Sequence, residues 1–99
     1  GGFIMTKKYK CRYTHCVYTD STAETELIAE ERIIFEGNRV GKAKEAIREH
    51  FKEHSVAIRP ESKDLIEGGY ENHDKDNYIV EDYIHKETGR RVVREWILE

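Results

Sequence analysis

Four residues of this 99-residue chain have the types and the spacing of a zinc site. Cys11 and Cys16 form a Cys-x4-Cys pair, and His50 and His54 form a His-x3-His pair. Structural zinc is bound by four nitrogen or sulfur ligands in a tetrahedron. The pattern predicts one structural zinc ion bound by all four residues. The competing interpretation is that these side chains simply pack in the core. His15, beside Cys16, is an alternative ligand, although an exposed turn position is expected for it.

Two predicted elements would position these ligands. Over residues 7–19, tyrosine and cysteine alternate with basic residues, which predicts a strand with one buried face. A turn at residues 13–15 would bring the two cysteines toward one point. Residues 41–54 carry apolar side chains at helical spacing, which predicts an amphipathic helix. Positions four residues apart lie on one face of a helix, so His50 and His54 would point the same way.

At this point the chain resembles the two-cysteine, two-histidine zinc fingers. In that family a hairpin carries the cysteines and the following helix carries the histidines. The resemblance covers residues 8–55, with Cys11 and Cys16 matching the cysteine pair and His50 and His54 the histidine pair. The family places about 12 residues between the two pairs, whereas 33 residues separate Cys16 from His50 here. The resemblance therefore implies the metal site more than it implies the finger fold or DNA binding.

The composition predicts a small intracellular domain. Apolar and charged residues each make up 37% of the chain, which indicates a thin core that a metal would help to stabilise. The sequence has neither a secretory signal nor an apolar run of membrane-spanning length, so a cytoplasmic location and no membrane partner are expected. Gly1-Gly2 indicates the remnant of a cleaved tag ahead of Met5. Residues 1–5 are accordingly set apart from one domain over residues 6–99.

The rest of the chain divides into three segments. Residues 28–35 favour a strand, but a capping box upstream would also suit a helix, so residues 22–35 are left open between the two. Residues 61–76 are polar and acidic and contain two adjacent glycines, which predicts a mobile acidic loop. Residues 78–98 predict a β-hairpin that turns at Gly89, with apolar residues on both faces, so the buried face also stays open. The predicted fold class is α+β: a small zinc-stapled β-hairpin plus helix, extended by a C-terminal β-hairpin.

The sequence favours a binding protein over an enzyme. It has no His-Glu-x-x-His helix, no phosphate loop and no nucleophile elbow. Four protein ligands would also close the zinc site and leave no position for a reacting water. The first functional hypothesis is a zinc-binding module that mediates protein–protein interaction. Its acidic loop would face a basic partner, and Tyr70, Tyr78 and Tyr83 would serve as anchors.

The alternative hypothesis, which the zinc-finger resemblance implies, is nucleic-acid binding. Glutamates on the same helix and a net charge of −3 favour a protein partner instead. The candidate partner-binding residues are the basic ones on the helix and the last strand. They are Arg39, Lys42, Lys44, Arg48, Lys52, Arg90, Arg91 and Arg94, with Lys7, Lys8, Lys10 and Arg12 on the first strand as further nucleic-acid contacts.

In its size, its charge density and its lack of a catalytic motif, the chain also resembles the small accessory proteins of bacteriophages. This second resemblance implies a regulator or inhibitor of a host protein. Under it, the acidic surface would mimic nucleic acid against a basic host protein.

Overall fold

The computed structural model describes residues 7–99, so the predicted tag remnant and start over residues 1–5 lie outside the described residues. Within residues 7–99, five strands and one α-helix follow one another. The elements are β1 (Tyr9–Tyr18), β2 (Glu26–Gly37), α1 (Val40–His54), a 3-10 turn at Pro60–Ser62, β3 (Ile66–His73), β4 (Tyr78–His85) and β5 (Arg91–Leu98).

The strands form one antiparallel sheet in the order β2-β1-β5-β4-β3. The helix α1 packs on one face of this sheet, called the inner face below, and the opposite face is called the outer face. The α+β class is therefore confirmed, whereas the zinc-stapled arrangement within it is not supported.

The core joins the apolar stripe of α1 to the central strands. Ala43, Ile47 and Phe51 are the buried residues of the helix. They pack with buried Trp96 of β5 and buried Ile79 of β4, together with Cys11 and Tyr13 of β1. A smaller apolar cluster of Ile66, Tyr83 and Val92 lies beyond the end of the helix and is covered by Val56 and Ala57. Together they bury the inner face of the central strands β1, β5 and β4.

Two strand predictions are confirmed. The C-terminal hairpin consists of β4 and β5, and Gly89 takes the positive φ of 72° that its turn requires. Its amide donates a hydrogen bond to the His85 carbonyl at 2.8 Å. The open question over residues 22–35 is resolved in favour of a strand. Residues 26–37 form β2, because they pair with β1 along their whole length.

Two other predictions are wrong. The turn expected at residues 13–15 does not exist, because β1 runs without a break from Tyr9 to Tyr18. The acidic loop expected over residues 61–76 is wrong for residues 66–73, which form the edge strand β3 paired with β4. The alternation of apolar residues is weak in β3, and this is why its sequence resembled a loop. Within the described residues, no helix is both long and apolar enough to cross a membrane.

Candidate functional site

The two cysteines lie on opposite faces of the sheet. Cys11 and Cys16 are five positions apart on β1, and side chains alternate between faces along a strand. Five residues of strand also separate them by about 16 Å. A single zinc ion cannot reach both sulfur atoms.

Cys11 behaves as a packed core residue. Its side chain is fully buried under α1, and its thiol donates a hydrogen bond to the Ala43 carbonyl at 3.3 Å. Burial raises the pKa of the Cys11 thiol to about 11. Zinc binds the thiolate, so this environment opposes metal binding. Cys16, on the outer face, is a second free cysteine.

His50 and His54 lie together on α1, as the helical spacing predicted, but they stack on each other. Their ring centroids are 3.8 Å apart and the rings are 6° from parallel. The in-plane lone pairs of parallel rings do not converge on one ion. His50 Nδ1 accepts a hydrogen bond from Trp96 Nε1 at 3.0 Å, and His54 Nδ1 lies 3.0 Å from the His50 carbonyl oxygen. Both side chains are therefore tied into the core packing.

The zinc-finger prediction is wrong for these reasons. Cys11 and Cys16 face opposite ways, and His50 and His54 are engaged with each other and with Trp96. Among residues 7–99, no group of three or more histidine, cysteine, aspartate or glutamate side chains could hold a metal ion. The histidines instead belong to an aromatic cluster in which Tyr13 contacts both rings.

This cluster makes the stability of the fold depend on pH. Burial, and then the proximity of His54 and Arg32, lowers the pKa of His50 to about 4. The unfolded chain protonates His50 near its ordinary pKa of 6.5, so between pH 6.5 and 4 the unfolded state binds more protons. The fold therefore loses stability as the pH falls through this window. We expect a loss of about 2 kcal/mol from His50, after allowance for its partial exposure to solvent.

Trp96, the one tryptophan of the chain, allows this loss to be measured. Urea unfolding followed by its fluorescence at pH 7 and pH 4 gives the two free energies of unfolding. His50→Gln is the control, because its amide oxygen can still accept the indole hydrogen bond but does not titrate. The wild type should lose more stability than this variant across the window. An equal loss in both proteins would show that His50 is not the responsible group.

The basic residues predicted to bind a partner are dispersed, and half of them are paired. Arg94 lies on the inner face, with its side chain 12% exposed, and Arg91 pairs with Asp82 on the outer face. On the helix, Arg48 pairs with Asp76 at 2.9 Å and Lys42 with Glu45 at 3.5 Å. The remaining four are exposed or half-buried and lie on α1, just before it, and at the β4–β5 turn. They are Arg39, Lys44, Lys52 and Arg90. This arrangement does not form the continuous basic field that phosphate binding needs.

Glu81 is a buried charge that the sequence analysis missed. It is 0% exposed, and its carboxylate accepts hydrogen bonds from the Ser55 hydroxyl and from the amides of Val56 and Ala57. Arg94 donates to the same carboxylate at 2.8 Å and to the Tyr83 hydroxyl at 3.0 Å. The network fixes the chain leaving α1 against the sheet. Its signal in the sequence is the alternation of β4, which places Glu81 on the same face as Ile79 and Tyr83.

The outer face carries an apolar stripe that no described residue covers. Val80 and Ile84 occupy outward positions of β4, and Val93 and Ile97 occupy outward positions of β5. All four are half-buried. These four residues are called the outer stripe below. They explain why the hairpin sequence had apolar residues on both faces: one set packs under α1 and the other lies on the outer face.

Charged and polar side chains are interleaved with the outer stripe. Tyr78 donates a hydrogen bond to Glu95 at 2.7 Å, and Arg91 pairs with Asp82. Arg12 on β1 pairs with Glu31 on β2 at 3.3 Å. The outer face of β4 and β5 thus mixes apolar and polar side chains, with a polar or charged residue directly opposite each member of the outer stripe. Non-obligate protein–protein interfaces have a mixed polarity of this kind.

Comparison with known proteins found no matching family model, no matching curated protein and no matching solved structure. The resemblances to zinc fingers and to bacteriophage accessory proteins therefore have no support from relatives.

Proposed function

We propose that this chain is a protein-binding module that binds its partner through the outer face of the sheet. The observation that carries the proposal is the outer stripe. An antiparallel sheet with one solvated face normally alternates apolar and polar residues, so that its outward positions are polar. Here four outward positions of β4 and β5 are apolar and lie diagonally across the two strands, each directly opposite a polar or charged residue. They are Val80, Ile84, Val93 and Ile97. Apolar side chains interleaved with charged ones match the mixed polarity of a non-obligate protein–protein interface.

The charges around the outer stripe indicate the chemistry of the partner. Arg12 and Arg91 are both engaged in ion pairs within the chain. Glu71 and Glu95 add negative charge on the same face, and the whole chain has a net charge of −3. The best-matched partner is a protein with an apolar patch flanked by lysine or arginine, because opposite potentials favour association. A phosphate backbone would meet the wrong sign of charge.

The proposal predicts that charge placed in the outer stripe abolishes partner binding. In the double variant Val80→Glu and Val93→Glu, two carboxylates would be desolvated against an apolar partner surface. We expect binding at least about 100-fold weaker, a loss of about 3 kcal/mol or more. Val40→Glu is the matched control. It makes the same change at an exposed valine at the start of α1, away from the outer face.

The experiment has two stages. Immobilised wild type, the double variant and the control are exposed to an extract of the native host. Proteins retained by the wild type and the control but not by the double variant are identified. The strongest such protein is then purified and its affinity for all three chains is measured by calorimetry. A partner that binds the double variant as tightly as the wild type would refute the outer face as the site. Binding of the purified chain to duplex or single-stranded nucleic acid, without any protein partner, would refute the function.

A further inference from the structure

The strand β2 is an edge of the sheet with an open backbone. It pairs with β1 on one side and with no described strand on the other. An edge strand presents unpaired N–H and C=O groups along that side, which makes it a template for another strand. Residues 26–32 are exposed throughout. The exposed fractions of Leu27, Ile28 and Ile33 are 51%, 44% and 46%, so apolar side chains lie along an uncovered edge.

The opposite edge, β3, is less suited to pairing. Its Gly68 has a φ of 130°, a value outside the extended range of a regular strand. Gly69 follows it, and glycine weakens strands. The pairing of β2 with β1 is irregular at two points, near Leu27 and near Ile34, which leaves residues 29–33 as a regular stretch. Any strand that adds to this sheet should therefore add at β2.

The sequence of β2 is complementary to itself in one antiparallel register. Two copies related by a two-fold axis pair each residue with the one equally far on the other side of the axis. With the axis at Glu31, each Glu30 lies directly opposite Arg32 of the second copy. The same register places Ala29 opposite Ile33 of the second copy. Two ion pairs and two apolar pairs thus form at once, and directly opposed side chains are those that interact most strongly.

The neighbouring registers that keep like faces together lack this match. With the axis at Glu30, the two Glu30 side chains face each other and Ile28 faces Arg32. With the axis at Arg32, two guanidinium groups face each other and Glu31 faces Ile33. Like charges directly opposite are destabilising. The charge pattern of β2 therefore selects the axis at Glu31 over these two.

Within residues 29–33, the one unfavourable contact in the selected register is Glu31 opposite Glu31. Its repulsion is reduced within each copy, because Arg12 Nε lies 3.3 Å from the Glu31 carboxylate on the outer face. Each copy thus brings its own guanidinium group to the axis. On the inner face, Arg32 lies over the Tyr13 ring with 5.5 Å to the centroid, which holds the guanidinium group near the edge.

We propose that β2 pairs antiparallel with β2 of a second copy of this chain, with Glu31 on the two-fold axis. The two five-stranded sheets then form one ten-stranded sheet, with both helices on the same side. The two outer faces become continuous, so the dimer presents both outer stripes on one surface, separated by β1 and β2 of each copy. The dimer stands independently of the protein-binding function, since the outer stripe does not take part in the β2 contact.

Charge reversal and charge exchange test the register. Glu30→Arg and Arg32→Glu each replace both ion pairs with like-charge pairs, so each should weaken the dimer by about tenfold or more. The double variant Glu30→Arg and Arg32→Glu recreates both pairs with the charges exchanged and should restore dimerisation. Glu87→Arg, in the exposed β4–β5 turn, is the control for the change in net charge. The measurement is the dissociation constant from sedimentation equilibrium over a series of concentrations.

A cysteine scan provides a second measurement. In a Cys16→Ser background, Glu31→Cys places two thiols directly opposite each other at the axis and should form an intermolecular disulfide on mild oxidation. Glu30→Cys and Arg32→Cys should form it far more slowly. In each of these variants the new thiol lies opposite a different residue of the second copy, so the two thiols do not face each other. A wild type that stays monomeric at all concentrations would overturn the proposal. So would a dimer in which cross-linking at position 30 or 32 exceeds that at 31.

Discussion

Replacing Glu81 with leucine is expected to lower the free energy of unfolding by about 3–5 kcal/mol. The Glu81 carboxylate is 0% exposed. It accepts hydrogen bonds from the Ser55 hydroxyl, from two backbone amides that follow α1 and from the Arg94 guanidinium group. Without it, Arg94 remains in a site where its side chain is 12% exposed, with Tyr83 as its one remaining partner in the network. A buried charge without its counter-charge is among the most destabilising changes a core can suffer.

The free energy of unfolding that Glu81→Leu loses should be smaller when Arg94 is also replaced by an apolar residue. The double variant Glu81→Leu and Arg94→Met removes both charges and leaves apolar side chains of similar size. Replacing a buried ion pair by packed apolar residues is often nearly neutral. We expect the double variant to recover at least half of the stability that Glu81→Leu loses, although the amides of Val56 and Ala57 stay unsatisfied. Urea unfolding of the wild type, of Glu81→Leu, of Arg94→Met and of the double variant gives the coupling free energy between the two residues. Additive losses would show that the two residues act separately.

Local periodicity explains which elements the sequence predicted correctly. The stripe of Ala43, Ile47 and Phe51 recurs at helical spacing within one segment, and the helix follows from it. The hairpin of β4 and β5 follows from strand-forming residues on both sides of Gly89. Both patterns lie within a short stretch of sequence, so each element can be predicted without knowledge of the rest of the fold.

The candidate metal site failed because its geometry is set by the alternation of β1. The Cys-x4-Cys spacing predicts a shared metal site only if the chain turns between Cys11 and Cys16. An odd separation on an unbroken strand places two side chains on opposite faces, and the expected turn that would have changed this does not form. The strand is held straight by β2 on one side and by β5 on the other. Only seven residues separate β2 from β1, but β5 lies at the other end of the chain, so the sequence near the cysteines carries no sign of its pairing with β1.

The surroundings of the histidines depend on distant contacts in the same way. The helical spacing correctly predicts that His50 lies on the side of α1 that faces the sheet. Its hydrogen-bond donor, however, is Trp96, which lies 46 residues away. Glu81 and Arg94 meet only because β4 and β5 pair in one register. The alternation of side chains along each strand predicts only that Glu81 and Arg94 lie among apolar residues, and not that they pair with each other. A charged residue at an inward position of each of two paired strands is the signal that predicts such a network.

Among the glycines of residues 7–99, Gly68 should be the one at which replacement by alanine is most damaging, because both its backbone and its surroundings exclude a side chain. Its φ of 130° is a conformation that residues with a Cβ rarely adopt. A Cβ at this position would also collide with the Asp82 carbonyl oxygen and lie 2.8 Å from Tyr83 Cα, both in the backbone of β4. We expect strain and collision together to lower the free energy of unfolding by about 2–4 kcal/mol.

Gly69→Ala is the matched control for this prediction. A Cβ on Gly69 would meet no other atom within 4 Å, and its φ is not in the left-handed region. The same methyl group, one position along the same edge strand, should therefore change the free energy of unfolding by less than about 1 kcal/mol. Because β3 is an edge strand, part of the Gly68→Ala cost could be relieved by its detachment from β4, with Ile66 and Tyr70 leaving their contacts. Faster amide hydrogen exchange over residues 66–73 would reveal this detachment. The prediction is wrong if Gly68→Ala changes neither the free energy of unfolding nor the exchange rates of these residues.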